Sequence, residues 1–465
     1  MTHVTTSHYD LIIIGSGSGN SLVTPDFEGK KVAIVEKGLF GGTCLNVGCI
    51  PTKMYVYAAE VATSIRNAGK YGIDATLDNV RWSDIRDRIF GRIDPISEGG
   101  KDYRQNGPGT TAYLGHASFV GERTLEVTGL PDGESATISG DQVVIATGAY
   151  AVVPDAITAS GVDYETSDTV MRMETLPKSM IILGGGYIAS EFAHVFSALG
   201  VKVTVVNRGE RLLRQLDEEV SEAFTEVAMD AWDVRLGSVC TGAEMTDNGV
   251  AVQLNGGASI EADVLLVATG RAPNTENLGL DAAGIKTHND GRVQVDQFGR
   301  TNVAGVWSLG DASSEYQLKH VANNEARAVA HNLTHPDVLK KFDHFAVPAA
   351  VFTHPQIAAV GLTEAQARRT SPDVTVKVQK FGDTAYGWAM EDTTSFMKLI
   401  ADKKTRRLLG AHLMGPHSST LIQPLLQAMS FDQPVDELAR GQYWIHPALS
   451  EVVENALLGL EFDAH

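Results

Sequence analysis

The chain has 465 residues, of which 43% are hydrophobic, and a formal net charge of −19 at pH 7. This length predicts about three domains, and the strong negative charge argues against nucleic acid or an anionic membrane as the main partner. The polar N-terminus lacks a secretory signal pattern, and no apolar run reaches the length of a membrane span. With only three cysteines as well, we expect a protein of the reducing cytoplasm.

A first nucleotide-binding unit is predicted at the start of the chain. Residues 9–20 read YDLIIIGSGSGN, an apolar strand that runs into a glycine turn, and KVAIVE follows as a second strand. Gly15 permits the tight turn, Gly17 permits close approach to a pyrophosphate, and the N-terminus of a following helix should face the phosphates. Glu36 ends the second strand, where a carboxylate accepts hydrogen bonds from a ribose. Asn20 replaces the third glycine of the fingerprint, which weakens the match.

The stretch GGTCLNVGCIPTK contains Cys44 and Cys49, which are separated by four residues. Thiols this close on the first turn of a predicted helix can form and break a disulfide with little backbone movement, and a helix N-terminus favours the thiolate. Gly42 lets the backbone approach a flat partner closely. The alternatives are a structural disulfide, two buried thiols or a metal site, but cysteine is scarce and no further ligands lie nearby. We predict a redox-active pair and no metal, and expect Cys240 to be a small core residue.

A second nucleotide-binding unit is predicted in the middle of the chain. The apolar strand SMIIL leads into a turn at Gly184 and Gly186 that opens a helix in the G-x-G-x-x-A form. An NAD enzyme has an acid at the end of the next strand, where this chain has Asn207 and Arg208, with Arg214 six residues further on. An arginine pairs with the 2′-phosphate of NADPH, whereas an acid repels it. We therefore predict NADPH as the second nucleotide, the alternative being a solvated loop.

The chain from about residue 345 is predicted to be a mixed α/β region without a glycine fingerprint. Near its end, WIHPALSEVVE contains His446 before a proline and Glu451 in the following helix. A thiol–disulfide enzyme needs an acid–base group that titrates near neutral pH, and an imidazole oriented by a carboxylate supplies one. The alternative is a purely structural His-Pro element, which is also our interpretation of His354.

Taken together, these motifs resemble the flavoprotein disulfide reductases. GGTCLNVGCIPTK is similar to their redox-active disulfide, and the two ATG turns and the Gly310-Asp311 pair are similar to further family signatures. The resemblance implies an α/β fold with two Rossmann-like domains and a C-terminal mixed α+β dimerisation domain. The implied divisions are a first FAD-binding segment at 1–150, an NADPH-binding domain at 151–273, a return segment of the FAD-binding domain at 274–344 and the dimerisation domain at 345–465.

The resemblance also implies where the cofactors bind. FAD occupies the first unit and NADPH the second. Lys53 lies beside the reactive edge of the flavin and pairs with Glu191, Tyr187 covers the flavin until the nicotinamide enters, and Asp311 binds the ribityl chain. Without the resemblance, Lys53 would be a solvated lysine and Asp311 a simple helix cap. The implied FAD contacts are Gly15, Gly17, Glu36, Gly42, Thr43, Lys53, Thr147, Gly148, Gly310 and Asp311, and the implied NADPH contacts are Gly184, Gly186, Tyr187, Ile188, Arg208, Arg214 and Gly270.

The catalytic roles likewise follow from the resemblance. Cys49 is the flavin-proximal thiol, and Cys44 is the exposed thiol that attacks the substrate disulfide. His446, oriented by Glu451, protonates the departing thiolate. In the family this His–Glu pair comes from the other subunit, so an obligate homodimer is implied. Lys53 completes the implied catalytic set together with its partner glutamate.

Within the family, GSGSGN, FGGTCLNVGCIPTKMYVYAAEVA and WIHPALSEVVENALLGLEF most resemble the mycothione reductases. The implied reaction is the NADPH-dependent reduction of mycothiol disulfide, a small-molecule substrate, to two mycothiols. The absence of a basic residue between Asn20 and Pro25 argues against a glutathione reductase, and Asn207-Arg208 argues against a dihydrolipoamide dehydrogenase. The alternatives are another disulfide of the glutathione or lipoamide type, or a flavin-dependent NADPH oxidase, quinone reductase or transhydrogenase. A non-catalytic redox sensor is a further class.

Overall fold

A seven-stranded sheet opens the computed structural model, which describes residues 6–463. Its order is β3-β2-β1-β6-β5-β4, with β17 parallel to β6, and the strands β1, β2, β3 and β6 are also parallel. Leu11 and Ile13 enter one buried cluster, and Ile12 and Ile14 enter another on the opposite face, as strand alternation requires. The elements of this part are β1 Thr6–Ile14, β2 Val32–Glu36, α1 Gly42–Asn46, α2 Cys49–Asn67, α3 Trp82–Asn106, β3 Thr110–Leu114, β4 His116–Gly121, β5 Thr124–Thr128 and β6 Ala136–Ile145.

The second sheet is parallel throughout, with the order β11-β10-β9-β15-β8. A three-stranded antiparallel sheet, β12-β13-β14, lies beside it, and the short ribbon β7–β16 links the start and end of this part. Its elements are β7 Ala149–Ala151, α4 Asp155–Thr158, β8 Glu165–Thr166, β9 Ser179–Leu183, α5 Tyr187–Ala198, β10 Lys202–Val206, α6 Glu218–Ala231, β11 Asp233–Arg235, β12 Cys240–Thr246, β13 Gly249–Leu254, β14 Ser259–Ala262, β15 Val264–Val267 and β16 Arg271–Pro273.

The chain then returns to the first sheet and ends in a five-stranded antiparallel sheet with the order β18-β19-β22-β21-β20. Helices α11, α12 and α13 cover one side of this sheet through a separate buried cluster. The elements are β17 Val306–Ser308, α7 Lys319–Thr334, β18 Pro348–Val351, β19 Ile357–Gly361, α8 Glu364–Thr370, β20 Val374–Lys380, α9 Ala385–Ala389, β21 Phe396–Asp402, β22 Leu408–Met414, α10 Ser418–Leu421, α11 Gln423–Ser430, α12 Val435–Arg440 and α13 Ser450–Leu458.

One buried cluster joins the three parts of the molecule around helix α2. Tyr55 and Val56 of α2 pack with Phe192 of α5, and the same cluster includes Val351 and Phe396 of the C-terminal sheet. Burial of these side chains contributes about 1.5–3 kcal/mol each to folding. Helix α2, which begins at Cys49, is thereby packed against the second sheet as well as the C-terminal sheet.

The predicted fold class is confirmed: two Rossmann-like parallel sheets precede an antiparallel sheet packed with helices. The ribbon β7–β16 lies at the predicted limits of the second domain, although the numerical domain boundaries themselves stay a prediction. Within residues 6–463, no helix combines the length and the apolar character that spanning a membrane requires.

Candidate functional site

The first glycine turn lies at the carboxyl end of β1. Gly15 has a φ of +104°, and a Cβ there would lie 2.3 Å from Ala146 O. Gly42, also at positive φ, approaches the backbone so closely that its Cβ would lie 2.7 Å from Gly17 Cα. Only glycine tolerates these positions. The turn and the cysteine segment therefore pack back to back and form the floor of one cleft.

The helix expected after this turn is not an α-helix. The turn leads into a 3-10 helix, Ser18–Leu22, and a second one follows at Pro25–Phe27. A proline disfavours helical backbone in the residue before it, and Thr24 is accordingly extended, so an α-helix has no room to grow. The expectation of an α-helical N-terminus at the phosphates is therefore wrong for this unit.

Asn20, the departure from the glycine fingerprint, has a structural partner. Its Oδ1 accepts a hydrogen bond from Arg104 Nε at 2.7 Å, and its carbonyl accepts one from Nη2 at 3.0 Å. Gly19 provides the tight packing instead, since a Cβ there would lie 2.8 Å from Ile13 Cγ2 and 2.9 Å from Ala146 Cβ. The turn thus packs against the sheet through a glycine one position earlier than the fingerprint predicts.

Glu36 stands at the end of β2 and is fixed by the turn itself. Its Oε2 accepts hydrogen bonds from Ser16 N at 2.9 Å and Ser16 Oγ at 2.7 Å, and its Oε1 accepts one from Gly38 N at 2.8 Å. Carboxylate oxygens have spare lone pairs, so Glu36 can still accept from a ribose hydroxyl at this edge of the cleft.

The cysteines lie on two helices, not on the first turn of one. Cys44 is in the short α1, and Cys49 is the first residue of α2, after a break at Val47 and Gly48. The break is stabilised by Thr52 Oγ1, which donates to the carbonyl of Gly48 at 2.7 Å. Because α1 and α2 meet at this break, the two sulfurs face each other at the wall of the cleft.

The expectation that Cys44 is the exposed thiol is wrong for the chain by itself, because Cys44 is half-buried and Cys49 is exposed. The two thiols also have opposite electrostatic environments. The Cys44 thiol donates a hydrogen bond to Cys49, which lowers the pKa of Cys49, and the positive charge of Lys53 lowers it further against the effect of burial. The same hydrogen bond and burial raise the pKa of Cys44. In the reduced pair, Cys49 therefore holds the thiolate and Cys44 the proton.

Lys53 lies one helical turn beyond Cys49 and is paired across the cleft. Its Nζ is 2.5 Å from Oε2 of the buried Glu191 on α5, 138 residues away in the sequence. Glu191 Oε1 accepts a hydrogen bond from Phe352 N at 3.0 Å, and the Lys53 ammonium lies 4.4 Å from the centre of the Phe352 ring. Elements from all three parts of the chain thus fix this ammonium next to the cysteines.

The cleft has a volume of about 1420 Å³ and polar groups that fit FAD. Two buried oxygens on its wall, Asn46 Oδ1 and Thr147 Oγ1, have no hydrogen-bond partner within residues 6–463. Burial raises the pKa of Asp311, which also lines the cleft. Buried polar groups normally have partners, and cofactor hydroxyls would supply them. All the residues predicted to contact FAD line this cleft: Gly15, Gly17, Glu36, Gly42, Thr43, Lys53, Thr147, Gly148, Gly310 and Asp311.

The second glycine turn has the α-helix that the first lacks. A Cβ at Gly184, where φ is +129°, would lie 2.2 Å from Ala268 O, and Gly186 caps the twelve-residue helix α5. Tyr187 and Ile188 open α5 and face the large cleft, and burial raises the pKa of Tyr187. The N-terminus of α5 therefore joins the second nucleotide turn to the wall that holds the cysteines.

The predicted NADPH-selecting arginines lie on the loop after β10. Arg208 and Arg214 are exposed, and neither forms an ion pair with any residue of the described chain. Asn207 closes the loop by donating from Nδ2 to the carbonyls of Gly209 at 3.0 Å and Arg211 at 2.9 Å. Gly270, the remaining predicted contact, has a φ of +144° at the turn after β15.

Arg211, which lies between the two predicted arginines, is occupied. Its guanidinium is 2.8 Å from Glu218 and 2.7 Å from Glu222, both at the start of α6. The sequence carries a signal for this pairing, because the acidic residues follow at helical spacing in DEEVSE. Two of the three arginines on this loop thus remain available to an anion.

His446 and Glu451 are brought together but not to the cysteines. His446 Nδ1 lies 2.6 Å from Glu451 Oε1, while the imidazole is 70% exposed and does not line the cleft. The neighbouring Tyr443 and Ile445 are also exposed apolar side chains. Since Nδ1 is bonded to the carboxylate, Nε2 is the nitrogen available to another molecule.

His354 and Cys240, which the sequence also drew attention to, lie among packed side chains outside the cleft. His354 stacks on His194 with ring centres 6.3 Å apart, and burial lowers the pKa of both. Cys240 packs against the core of the second part of the chain, as expected. Phe352 and Lys319 also line the cleft, although no local sequence pattern distinguishes them.

Comparison with known proteins identifies the class. The family model for pyridine nucleotide-disulphide oxidoreductases matches residues 9–326, and the model for the dimerisation domain of the same family matches residues 347–457. The chain belongs to this family. It is therefore an enzyme, a flavoprotein disulfide oxidoreductase that uses FAD and a pyridine nucleotide, and its C-terminal part is the dimerisation domain of the family, which supports a homodimer.

Individual members of the family show more specifically which enzymes the chain resembles. The chain is 55% identical to a mycothione reductase from Mycobacterium tuberculosis, over 97% of this chain and 99% of that protein. It is 36% identical to a dihydrolipoyl dehydrogenase from Corynebacterium glutamicum, over 98% of each. Among solved structures, the HOCl-induced flavoprotein disulfide reductase RclA from Escherichia coli superimposes with a TM-score of 0.85 at 29% identity, covering 97% of this chain and all of that one.

Proposed function

We propose that this enzyme reduces mycothione, the disulfide of mycothiol, with NADPH and a redox-active Cys44–Cys49 pair. The observation that carries the chemistry is the cysteine pair at the wall of the cleft, with the Lys53–Glu191 ion pair beside it. The 55% identity to a mycothione reductase over nearly the whole chain supports the substrate. Disulfide reduction is the activity of the class, and mycothione is our specific choice within it.

The cofactor positions follow from the cleft. FAD would be held by the glycine turn and Glu36 at one end and by Thr147 and Asp311 further along, with its reactive edge at Lys53. When bound, FAD accepts two electrons as a hydride and passes them on. Tyr187 would stand between this edge and the second unit, where the nicotinamide enters. The chain itself supplies orientation and charge around both groups.

The disulfide chemistry belongs to the two cysteines. Once Cys44 has lost its proton, its thiolate attacks one sulfur of the substrate, so that a mixed disulfide forms and the first thiol leaves. Cys49 then attacks Cys44 Sγ, which releases the second thiol and closes the Cys44–Cys49 disulfide. The reduced pair supplies two electrons and the proton of Cys44 for each disulfide reduced, the second thiolate takes its proton from solvent, and each step is thiolate attack on sulfur. Lys53 helps to keep Cys49 ionised for the second attack.

His446 would move the protons of these steps. Its Nε2 accepts the proton that Cys44 loses before the attack and returns a proton to the departing thiolate sulfur, while Glu451 holds the ring through Nδ1. Because His446 does not line the cleft of its own chain, we assign it to the cleft of the other protomer. The exposed Tyr443 and Ile445 beside it support an interface at this position.

The test is oxidation of NADPH by the purified holoenzyme with mycothione, glutathione disulfide, oxidised lipoamide and a generic aromatic disulfide. We expect a strong preference for mycothione. The Cys44→Ser variant should lose disulfide reduction by at least about a thousandfold while NADPH still bleaches its flavin. Preference for another disulfide would replace the substrate but keep the mechanism.

The matched control is Cys240→Ser, because Cys240 lies outside the cleft and should leave every rate unchanged. If no disulfide is turned over while NADPH reduces the flavin of wild-type enzyme, the proposed function fails. An acceptor such as a quinone would then be the one to seek.

A further inference from the structure

Lys319 is a half-buried cation in the cleft that none of the predicted roles uses. It is the first residue of α7, and its Nζ donates a hydrogen bond to Ser18 Oγ at 2.8 Å. Lys53 and Arg271, which line the same cleft, are each paired with a carboxylate. Lys319 forms no ion pair with any carboxylate of residues 6–463, although the chain has a net charge of −19. A partly desolvated ammonium bonded only to a neutral hydroxyl indicates that an anion belongs beside it.

The position of Ser18 identifies the part of the cleft involved. Ser18 follows the first glycine turn directly and begins the five-residue 3-10 helix. The positive potential of a helix N-terminus comes from aligned peptide dipoles, which a 3-10 helix this short provides poorly. The second unit has the twelve-residue α5 at the equivalent place. The first unit therefore lacks the usual source of positive charge at its phosphate-binding turn.

The charge of Lys319 also acts on two other groups that line the cleft. Burial raises the pKa of Asp311 and the Lys319 charge opposes that rise. Hydrogen bonding to Cys49 and burial raise the pKa of Cys44, and here too the Lys319 charge acts in the opposite direction. Lys319, Ser18, Asp311 and Cys44 line the same cleft, and the hydrogen bond to Ser18 places the ammonium at the residue that follows the glycine turn.

We propose that Lys319 Nζ binds the pyrophosphate of FAD and supplies the positive charge that the missing α-helix would otherwise provide. The inference rests on the placement of FAD proposed above. Ser18 Oγ, held by Lys319 and 3.3 Å from Asn323 Oδ1, acts as a positioning partner for the ammonium. An ammonium and a phosphate oxygen form a charge-assisted hydrogen bond, which is stronger than a neutral one.

The experiment is a titration of the apoenzyme with FAD, followed by flavin fluorescence, in wild type, Lys319→Gln and Lys319→Arg. A parallel titration uses riboflavin, which contains the same ring and ribityl chain but no phosphate. We expect Lys319→Gln to weaken FAD binding about 10- to 100-fold and to leave riboflavin binding within about twofold of wild type. Lys319→Arg keeps the charge and should retain most of the FAD affinity.

The control variant is Lys286→Gln, an exposed lysine outside the cleft, which should bind FAD as wild type does. Unchanged FAD affinity in Lys319→Gln, or an equal loss for FAD and riboflavin, would overturn the proposal. If the Lys319→Gln apoenzyme unfolds, the proposal is tested instead by the salt dependence of FAD and riboflavin binding to the wild-type apoenzyme. Added salt should then weaken FAD binding more than riboflavin binding, and equal sensitivity would contradict the inference.

These measurements also separate the inference from the proposed function. They report cofactor binding alone and need no disulfide substrate. A wild-type enzyme that binds FAD through Lys319 but reduces no disulfide would contradict the proposed function and leave this inference intact. If the wild-type enzyme reduces mycothione but Lys319→Gln binds FAD as tightly as wild type, the proposed function stands and this inference is contradicted.

Discussion

The two nucleotide-binding units begin with the same turn and then differ. In each, the glycine after the first strand passes a neighbouring carbonyl so closely that a Cβ would lie 2.3 Å from it at Gly15 and 2.2 Å at Gly184. The second turn opens the twelve-residue helix α5, whereas the first opens a 3-10 helix of five residues. The steric requirement of the turn is therefore independent of the helix that follows it.

The difference shows how side chains replace backbone charge. The second unit combines an α-helix N-terminus with the unpaired Arg208 and Arg214, so both backbone and side chains favour a highly charged nucleotide. The first unit has Glu36 at the corresponding strand end, bonded to its own turn through Ser16. Its positive charge comes from a distant helix instead. Each unit thus acquires its charge from residues that the glycine fingerprint does not include.

The largest effect that we expect is a loss of disulfide reduction at the cysteines that leaves electron transfer between the two nucleotide-binding units intact. His446→Ala should slow disulfide reduction about 100- to 10,000-fold, because the departing thiolate loses its proton donor. Reduction of the flavin by NADPH needs only the two units and should stay within about twofold of wild type. Stopped-flow absorbance measures the two half-reactions separately.

The control for this variant is His288→Ala, since His288 is exposed and its side chain bonds to no other group of the described chain. Both half-reactions should be unchanged there. Loss of flavin reduction in His446→Ala would refute the assigned role, and so would normal disulfide reduction.

A smaller effect would test whether the second unit selects its nucleotide by side-chain charge. Replacing Arg208 and Arg214 together by glutamine should raise the KM for NADPH about 10- to 100-fold, because the 2′-phosphate loses its charged hydrogen bonds. The KM for NADH should change little, as NADH carries no such phosphate. Steady-state kinetics with both nucleotides gives the ratio.

Arg211→Gln is the matched control, because this arginine on the same loop is already bonded to Glu218 and Glu222. Exposed ion pairs of this kind contribute little to stability, and Arg211 is already occupied by them, so the KM for NADPH should be nearly unchanged. An equal rise in both KM values for the double variant would mean that the arginines shape the loop and do not read the phosphate.

The smallest effect concerns the charge at the cysteine end of the first unit. The positive charge of Lys53 helps to lower the pKa of Cys49, so Lys53→Met should raise that pKa. The thiolate exists above the pKa, and alkylation of Cys49 in the reduced enzyme should therefore need a higher pH than in wild type. Mass spectrometry after iodoacetamide treatment across a pH series separates Cys49 from Cys44.

Lys53→Arg keeps the charge and should keep the alkylation midpoint close to that of wild type. A midpoint that is the same in Lys53→Met would show that hydrogen bonding from Cys44 alone sets the ionisation of Cys49. In that case the Lys53–Glu191 pair would act only in joining α2 to α5.

The sequence was sufficient for the fold class and for bringing Cys44 and Cys49 close together, while their redox role stays a prediction. Continuous apolar strands ending in glycine turns predict two parallel sheets, and those sheets are present. Two cysteines five positions apart are close under most local geometries, so their contact did not depend on assigning them to one helix. That assignment was wrong because α1 ends at Asn46 and Gly48 caps a second helix that begins at Cys49.

The features of the site that the sequence did not predict depend on contacts between distant segments of the chain. Lys319 reaches Ser18 across 301 residues, and no local pattern distinguishes a lysine that begins a helix from a solvated one. The absence of an α-helix after the first glycine turn could have been predicted from the sequence, because Pro25 disfavours helical backbone in the residue before it. Periodicity and propensity describe neighbours in sequence, whereas half-buried charges are set by tertiary packing.

The exposure of His446 outside its own cleft has a consequence for mixed dimers. A dimer of one Cys44→Ser chain and one His446→Ala chain contains one site with both lesions and one with neither. Two inactive homodimers, once dissociated and reassociated, should therefore generate activity. At equal mixing, half of the dimers are hybrids with one working site each, so about a quarter of the wild-type rate should return. Complementation of this kind would make the enzyme's activity a property of chain pairing.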